Sequence, residues 1–135
     1  MSTEADILNK YRTVAGVGAS SRPERPSNRV ASYLQEQGYR IIPVNPNETE
    51  MLGQKCYPDL SSQPEPPEVV DIFRRPEDVP AVVEEAIRIG AKAIWMQEGI
   101  VNEEAAARAR EAGLEVVMDR CMMVEHRKLA GGKRG

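Results

Sequence analysis

Two glycines and two serines crowd into Gly16-Val17-Gly18-Ala19-Ser20-Ser21, and Arg22, Arg25 and Arg29 follow directly. The spacing is close to the GxGxxG phosphate fingerprint, with Ser21 in the place of the third glycine. Glycine lacks a Cβ, so the backbone can turn sharply and approach a diphosphate. The N–H groups and serine hydroxyls supply donors, and guanidinium groups pair with phosphate oxygens in a fixed fork. The same turn would also serve a strand–helix corner with no ligand, and arginines are common on solvated surfaces.

Other chemistry is scarce. The chain has one histidine, His126, and two cysteines, Cys56 and Cys121, which are far apart and form no CxxC pair. These are too few parts for a zinc site, so neither a metal site nor a catalytic residue is expected.

The elements that must hold the turn follow from periodicity. Thr13-Val14-Ala15-Gly16-Val17-Gly18 is a short apolar run ending in glycine, a buried strand entering the turn. Val30, Tyr33 and Leu34 recur at helical spacing, and Gly38 stops that helix. Tyr39 to Val44 is the second strand, closed by Asn45-Pro46. Residues 47–67 are a proline-rich connection with one helical turn at most, anchored by Cys56, Tyr57, Pro58 and Leu60. Val69 to Phe73 is the third strand. Pro76 opens a helix whose Val79, Val82, Val83, Ala86 and Ile87 form one stripe, and Gly90 ends it. Ala93 to Met96 is the fourth strand, with Trp95 and Met96 in the core. Asn102 caps the next helix, Gly113 closes it, Leu114 to Met118 is the fifth strand, and Met122 to Leu129 is a last short helix.

Alternating short apolar strands and helices call for an α/β doubly wound parallel sheet with helices on both faces. Right-handed crossovers leave few topologies, and the order 3-2-1-4-5 is expected. Ligands then bind beyond the strand C-termini where strand order reverses, here between the first and fourth strands. At 135 residues the chain is one domain, 1–135, with its core in about 7–130. A net charge of −3 with no concentrated basic stretch argues against nucleic acid. No apolar run suits a membrane helix. Met1 to Asp6 is polar and acidic, unlike a signal peptide, and with two unpaired cysteines this points to the cytoplasm.

The ligand can be narrowed. Val44-Asn45-Pro46 stands where NAD-binding domains place an acid for the ribose hydroxyls, and no Gly-Lys-Ser/Thr follows the turn. A phosphate-bearing ligand with extra negative charge is left.

Gly16-Val17-Gly18-Ala19-Ser20, Val44-Asn45-Pro46, Asp71-Ile72-Phe73-Arg74-Arg75-Pro76, Trp95-Met96-Gln97-Glu98-Gly99-Ile100 and Met118-Asp119-Arg120-Cys121, in this order, resemble the stand-alone CoA-binding domain proteins. These are relatives of the N-terminal domain of the succinyl-CoA synthetase alpha subunit. The resemblance covers about residues 7–130 and implies a Rossmann-like fold with coenzyme A or acyl-CoA across the strand ends. Gly18, Ala19 and Ser20 would hold the diphosphate, and Val44, Asn45 and Pro46 would lie along the adenosine. Phe73, Arg74 and Gln97 would line the middle of the ligand, and Arg25 would meet the 3′-phosphate. The domain that carries the synthetase's phosphorylated histidine has no counterpart in the sequence, and His126 matches no such motif, so the ligase chemistry does not carry over. Cys121 is either a thiol facing the pantetheine end or a buried cysteine beside an Asp119–Arg120 ion pair. Met122 and Met123 could cover an apolar patch at a homodimer contact. A binding module that carries or senses coenzyme A, a subunit of a ligase-like enzyme completed by a partner chain, and a dinucleotide-binding regulator all stay open.

Overall fold

The computed structural model describes the backbone of residues 3–134 and the side chains of residues 3–130. Five parallel strands form the main sheet: β1 (Thr13–Val17), β2 (Arg40–Val44), β5 (Val69–Ile72), β6 (Ala93–Met96) and β7 (Glu115–Val117). A small antiparallel hairpin, β3 (Glu50–Met51) with β4 (Gln54–Lys55), stands apart from it.

Helices cover both faces, as strands buried on two sides require. Helices α3 (Val79–Ile89) and α4 (Glu103–Glu111) pack on one face through Val79, Val83, Ala86, Ala105, Ala106 and Ala109. Helices α1 (Thr3–Lys10), α2 (Pro26–Glu36) and α5 (Met122–Arg134) cover the other, where Ile7, Leu8, Val30, Leu34 and Met122 meet Val14, Val69 and Trp95. The architecture is the expected Rossmann-like doubly wound α/β fold.

The strand order is a correction. The sheet runs β2-β1-β5-β6-β7, so the third long strand lies beside the first and not outside the second. In the sequence-based numbering this is 2-1-3-4-5, not 3-2-1-4-5. Pro43 supplies a physical reason. Its carbonyl accepts from Tyr57 N–H at 3.0 Å, and Asn45 N–H donates to the Tyr57 carbonyl at 2.8 Å. The outward edge of β2 is thus closed by its own connection. Pro43 has no N–H to offer a further strand there, so β2 suits an edge. β5, buried at all four positions, takes an interior place between β1 and β6. The reversal point therefore lies between β1 and β5.

Smaller differences have local causes. Helix α1 lies in the acidic N-terminal stretch, where Ala5, Ile7 and Leu8 are its buried residues, too short a stripe for periodicity to reveal; Met1 and Ser2 lie outside the described residues. The connection 45–68 holds the hairpin and one tight helical turn, Leu60–Ser62. Pro76–Asp78 is a separate 3-10 turn before α3 begins at Val79. Asn102 caps α4 as expected, its side chain accepting from Ala105 N–H at 2.9 Å. Gly90 ends α3 with a φ of 84°.

Candidate functional site

The turn after β1 is built around one glycine. Gly18 has a φ of 89°, and a Cβ placed there would stand 2.7 Å from the Phe73 carbonyl oxygen and 3.0 Å from Arg74 Cδ. Both the conformation and the close approach of β5 demand glycine. Gly16 is less constrained; a Cβ there would meet only Ala19 Cβ at 3.8 Å.

The donors of the turn divide into used and unused. Gly18 N–H donates to Val44 O at 2.9 Å, and Arg22 N–H to Ser20 Oγ at 3.1 Å. Ser21 N–H donates to a Glu48 carboxylate oxygen at 2.8 Å. Ser21, through its N–H and then its hydroxyl, holds the Glu48 carboxyl below the usual range, with Arg22 nearby adding attraction. Among the described residues, the N–H groups of Ala19 and Ser20 have no hydrogen-bond partner.

Helix α2 begins where the turn leads. Arg25 is its N-cap but makes no side-chain cap, Pro26 opens the first turn, and that turn has no acidic residue. Its N-terminal end thus keeps its positive dipole without a side-chain cap, although the Asn28 and Arg29 N–H groups donate to Arg25 O at 3.1 Å. Among the described residues neither Arg22 nor Arg25 makes a salt bridge or a side-chain hydrogen bond, while Arg29 donates to Glu24 O at 2.6 Å. Unpaired N–H groups, an uncapped helix and guanidinium groups that make no salt bridge are chemistry suited to a multiply charged anion.

These groups open onto a cleft of about 590 Å³ at the strand C-termini. Gly18, Ser20, Arg22, Arg25 and Arg29 line one part of it, and Asn45 borders it from the end of β2. Phe73, Gln97, Glu98 and Ile100 line another part, with Cys121 and Met123. One cleft thus joins a cationic loop to a less polar wall.

The expected site residues separate into lining and frame. Gly18, Ser20, Arg25, Asn45, Phe73 and Gln97 border the cleft. Gly16, Ala19 and Val44 are buried and shape the turn and the end of β2, whereas Pro46 is exposed. Asn45 ties these parts together: its Nδ2 donates to Ala19 O at 2.7 Å and its Oδ1 accepts from Asn47 N–H at 2.8 Å. Arg74 is exposed, lies against Gly18 and pairs with Asp78 at 3.8 Å.

Other side chains settle into definite roles. His126 is a packing residue: its Nδ1 meets Tyr33 Oη at 2.7 Å, and its ring sits edge-on to Tyr33 and Tyr39. Cys56 is buried with Ala19 and Met51, and burial pushes its thiol pKa up. The expected Asp119–Arg120 ion pair does not form. Asp119, at a φ of 58°, accepts from Gly99 N–H at 2.7 Å and so joins the loops after β6 and β7. Cys121 is half-buried in the cleft wall. Met122 is 1% exposed in the core and Met123 faces the cleft, so the pair is no surface patch. Trp95 is fully buried and donates to Arg120 O at 2.8 Å.

Pattern reading missed Asp71. It is 2% exposed in the middle of β5 and accepts from Gln97 Nε2 at 2.6 Å. Burial pushes its carboxyl up to about 8, and the Gln97 hydrogen bond opposes this. The available signal was an acid inside an otherwise apolar strand.

A doubly wound sheet with a phosphate-type turn at its reversal point defines a nucleotide-binding class of α/β domain. The comparisons specify it further. The profile of the CoA binding domain family matches residues 12–127, and the chain belongs to that family. It is 43% identical over 121 residues to the uncharacterized protein YneT of Bacillus subtilis, covering 90% of each chain. It is 31% identical over 109 residues to the ADP-forming acetate–CoA ligase II of Archaeoglobus fulgidus, covering 78% of this chain but only 16% of the ligase. Among solved structures, a hypothetical protein from Pyrococcus horikoshii is 47% identical with a TM-score of 0.92, covering 97% of this chain and 94% of that one. No helix among the described residues is long and apolar enough to cross a membrane.

Proposed function

We propose that this domain binds coenzyme A or an acyl-CoA in the cleft and acts as a carrier, sensor or regulatory module. The observation that carries the reading is the group of guanidinium side chains, Arg22 and Arg25 without carboxylate partners, beside the unpaired N–H groups of Ala19 and Ser20. In this reading the diphosphate sits on those two N–H groups and Arg25 takes the 3′-phosphate. Asn45 lies toward the adenosine. The pantetheine arm runs past Phe73 and Gln97 toward Cys121 and Met123.

Membership of the CoA binding domain family supports the choice of ligand. The use of Glu48 supports it too. This acid lies beyond β2, and its carboxylate is engaged by Ser21 instead of being held free for a ribose diol. Isothermal titration tests the reading: coenzyme A should bind much more tightly than NAD, and equal or better NAD affinity would sink it.

The likeness to part of a much longer ligase favours a second reading, in which the domain supplies the coenzyme A site of an enzyme completed by another chain. An assay of the pure protein with coenzyme A, ATP and a range of carboxylic acids should give no acyl-CoA. Clear turnover would replace the binding-module reading with an enzymatic one.

A further inference from the structure

Away from the cationic loop, the cleft is walled by bare apolar surface. Phe73, Ile100, Cys121 and Met123 line it there, and each is only partly buried. Ile100 packs on the core beneath α3 and α4, and the other three pack on the core of the opposite face, so both cores reach the cleft at this wall. The apolar surface continues along the chain. Among the described residues the exposed large hydrophobic side chains are Val101, 42% exposed, and Val124, 38% exposed. Val101 directly follows Ile100, and Val124 directly follows Met123.

The wall is held in place by its own backbone. Ile100 O accepts from Asp119 N–H at 3.2 Å, Gly99 N–H donates to Asp119 Oδ1 at 2.7 Å, and Cys121 O accepts from Glu125 N–H at 3.0 Å. These bonds tie the loop after β6 to the segment that leads into α5. Charge here has one sign. Glu98 borders the cleft, is exposed, and among the described residues makes no salt bridge or side-chain hydrogen bond. The bordering arginines, Arg22, Arg25 and Arg29, belong to the loop after β1 and to α2. Arg120 is next to Cys121 in the chain but does not border the cleft, and its Nη1 donates to Asp119 O at 2.8 Å.

Apolar surface gains from an apolar occupant. The arm of free coenzyme A consists largely of amides and ends in a thiol, so it covers this wall poorly. An aliphatic chain on the sulfur would cover it, whereas a chain ending in a carboxylate would meet Glu98 and lose that burial.

Resting on the coenzyme A reading of the cleft, we propose that the ligand class is an acyl-CoA with an uncharged aliphatic chain, held by Ile100, Met123, Val101 and Val124, and that Glu98 discriminates against dicarboxylic acyl groups.

The test is calorimetric titration of the intact chain at low salt with free coenzyme A and with acetyl-, butyryl-, hexanoyl- and succinyl-CoA. A fully buried methylene is worth about fourfold in affinity, so partial burial of the longer chain should make hexanoyl-CoA about tenfold tighter than acetyl-CoA. Butyryl- and succinyl-CoA differ only in a terminal methyl against a carboxylate, and butyryl-CoA should bind about tenfold tighter. Met123→Gln should reduce the hexanoyl-to-acetyl ratio about threefold, and so should the double variant Val101→Ser with Val124→Ser, which alters only exposed positions. Glu98→Gln should narrow the butyryl-to-succinyl ratio about threefold, an effect that fades as salt rises.

Hexanoyl-CoA binding no tighter than acetyl-CoA would overturn the proposal. So would succinyl-CoA binding as tightly as butyryl-CoA, or a hexanoyl-to-acetyl ratio that neither Met123→Gln nor the double valine variant moves. If the wild-type chain binds neither coenzyme A nor any thioester, the coenzyme A reading itself fails, and that outcome is distinct from the others.

Discussion

The two ends of the sheet handle charge in opposite ways. At the N-terminal edge of the strands, polar groups are partnered within the chain. Glu115 accepts from Lys10 Nζ at 2.9 Å and from Tyr11 Oη at 2.7 Å. One Glu68 oxygen accepts from the N–H groups of Arg12 and Thr13 at 2.9 and 3.1 Å. Arg12 donates to Leu8 O and lies over the Tyr39 ring. At the C-terminal edge, among the described residues, the Arg22 and Arg25 guanidinium groups and the N–H groups of Ala19 and Ser20 have no such partners, and α2 starts without a side-chain cap. Helix α4 shows that the fold can satisfy a helix start when it needs to, with Asn102 as cap and Glu103 and Glu104 in the first turn. One edge is closed by its own residues. The other keeps donors that no protein group among the described residues engages.

The largest expected effect tests the buried acid beneath the open edge. The Asp71 carboxyl has an ordinary value of 3.8 unfolded and about 8 folded. The folded state therefore binds the proton more tightly. Its stabilising contribution is full below the unfolded value and is lost as pH rises toward 8. Relative to Asp71→Asn, the wild type should lose stability across pH 4–8 at close to the full linkage slope, about 1.4 kcal/mol per pH unit. Urea denaturation at several pH values checks this, and parallel curves for the two proteins would show that Asp71 titrates normally.

Next in size is Gly18→Val. The added side chain meets the Phe73 carbonyl and forces a branched residue into a left-handed backbone, at a cost on the order of 2–4 kcal/mol. Loss of coenzyme A binding should accompany a clearly lowered melting temperature. A variant of unchanged stability would mean that the turn is looser than its contacts with β5 imply.

Arg25→Ala separates ligand from fold. The side chain makes no salt bridge or cap, so stability should change by less than about 0.5 kcal/mol. Coenzyme A affinity should fall about tenfold to hundredfold, the worth of a charge-assisted hydrogen bond, and 3′-dephospho-CoA affinity should barely move. Equal losses for the two ligands would transfer the 3′-phosphate to Arg22 or Arg29.

The smallest effect belongs to the closed edge. Glu115→Gln weakens its links to Lys10 and Tyr11, both near the surface, and should cost less than about 1 kcal/mol. Coenzyme A affinity should stay at the wild-type value. A change in affinity would show that the two edges are coupled through the sheet.

Much of this was legible locally. The glycine turn, the helix through Val30, Tyr33 and Leu34, the Asn102 cap and the Gly90 stop all rest on short-range rules of φ, capping and periodicity, and the structure has each of them, with that helix starting earlier, at Pro26. The strand order was not read correctly, although Pro43 was visible. Its weight lay in a pairing with Tyr57 fourteen residues on, which no local pattern displays. The candidate site followed the same division. Arg25, Ser20 and Gly18 were recognisable because they sit in one continuous loop.

By itself the sequence determined the class of the fold, the position of the turn and the charge of the loop that follows it. Each of these is set by side-chain type and by neighbours within a few residues. Only the tertiary structure decided that Arg74 pairs with Asp78 outside the cleft, that Met123 lies inside it, and that Asp71 meets Gln97. Those outcomes depend on which strands become neighbours and which face each residue takes. Strand order decides the neighbours, because pairing across a sheet is a long-range contact fixed by burial and edge chemistry and not by the local chain.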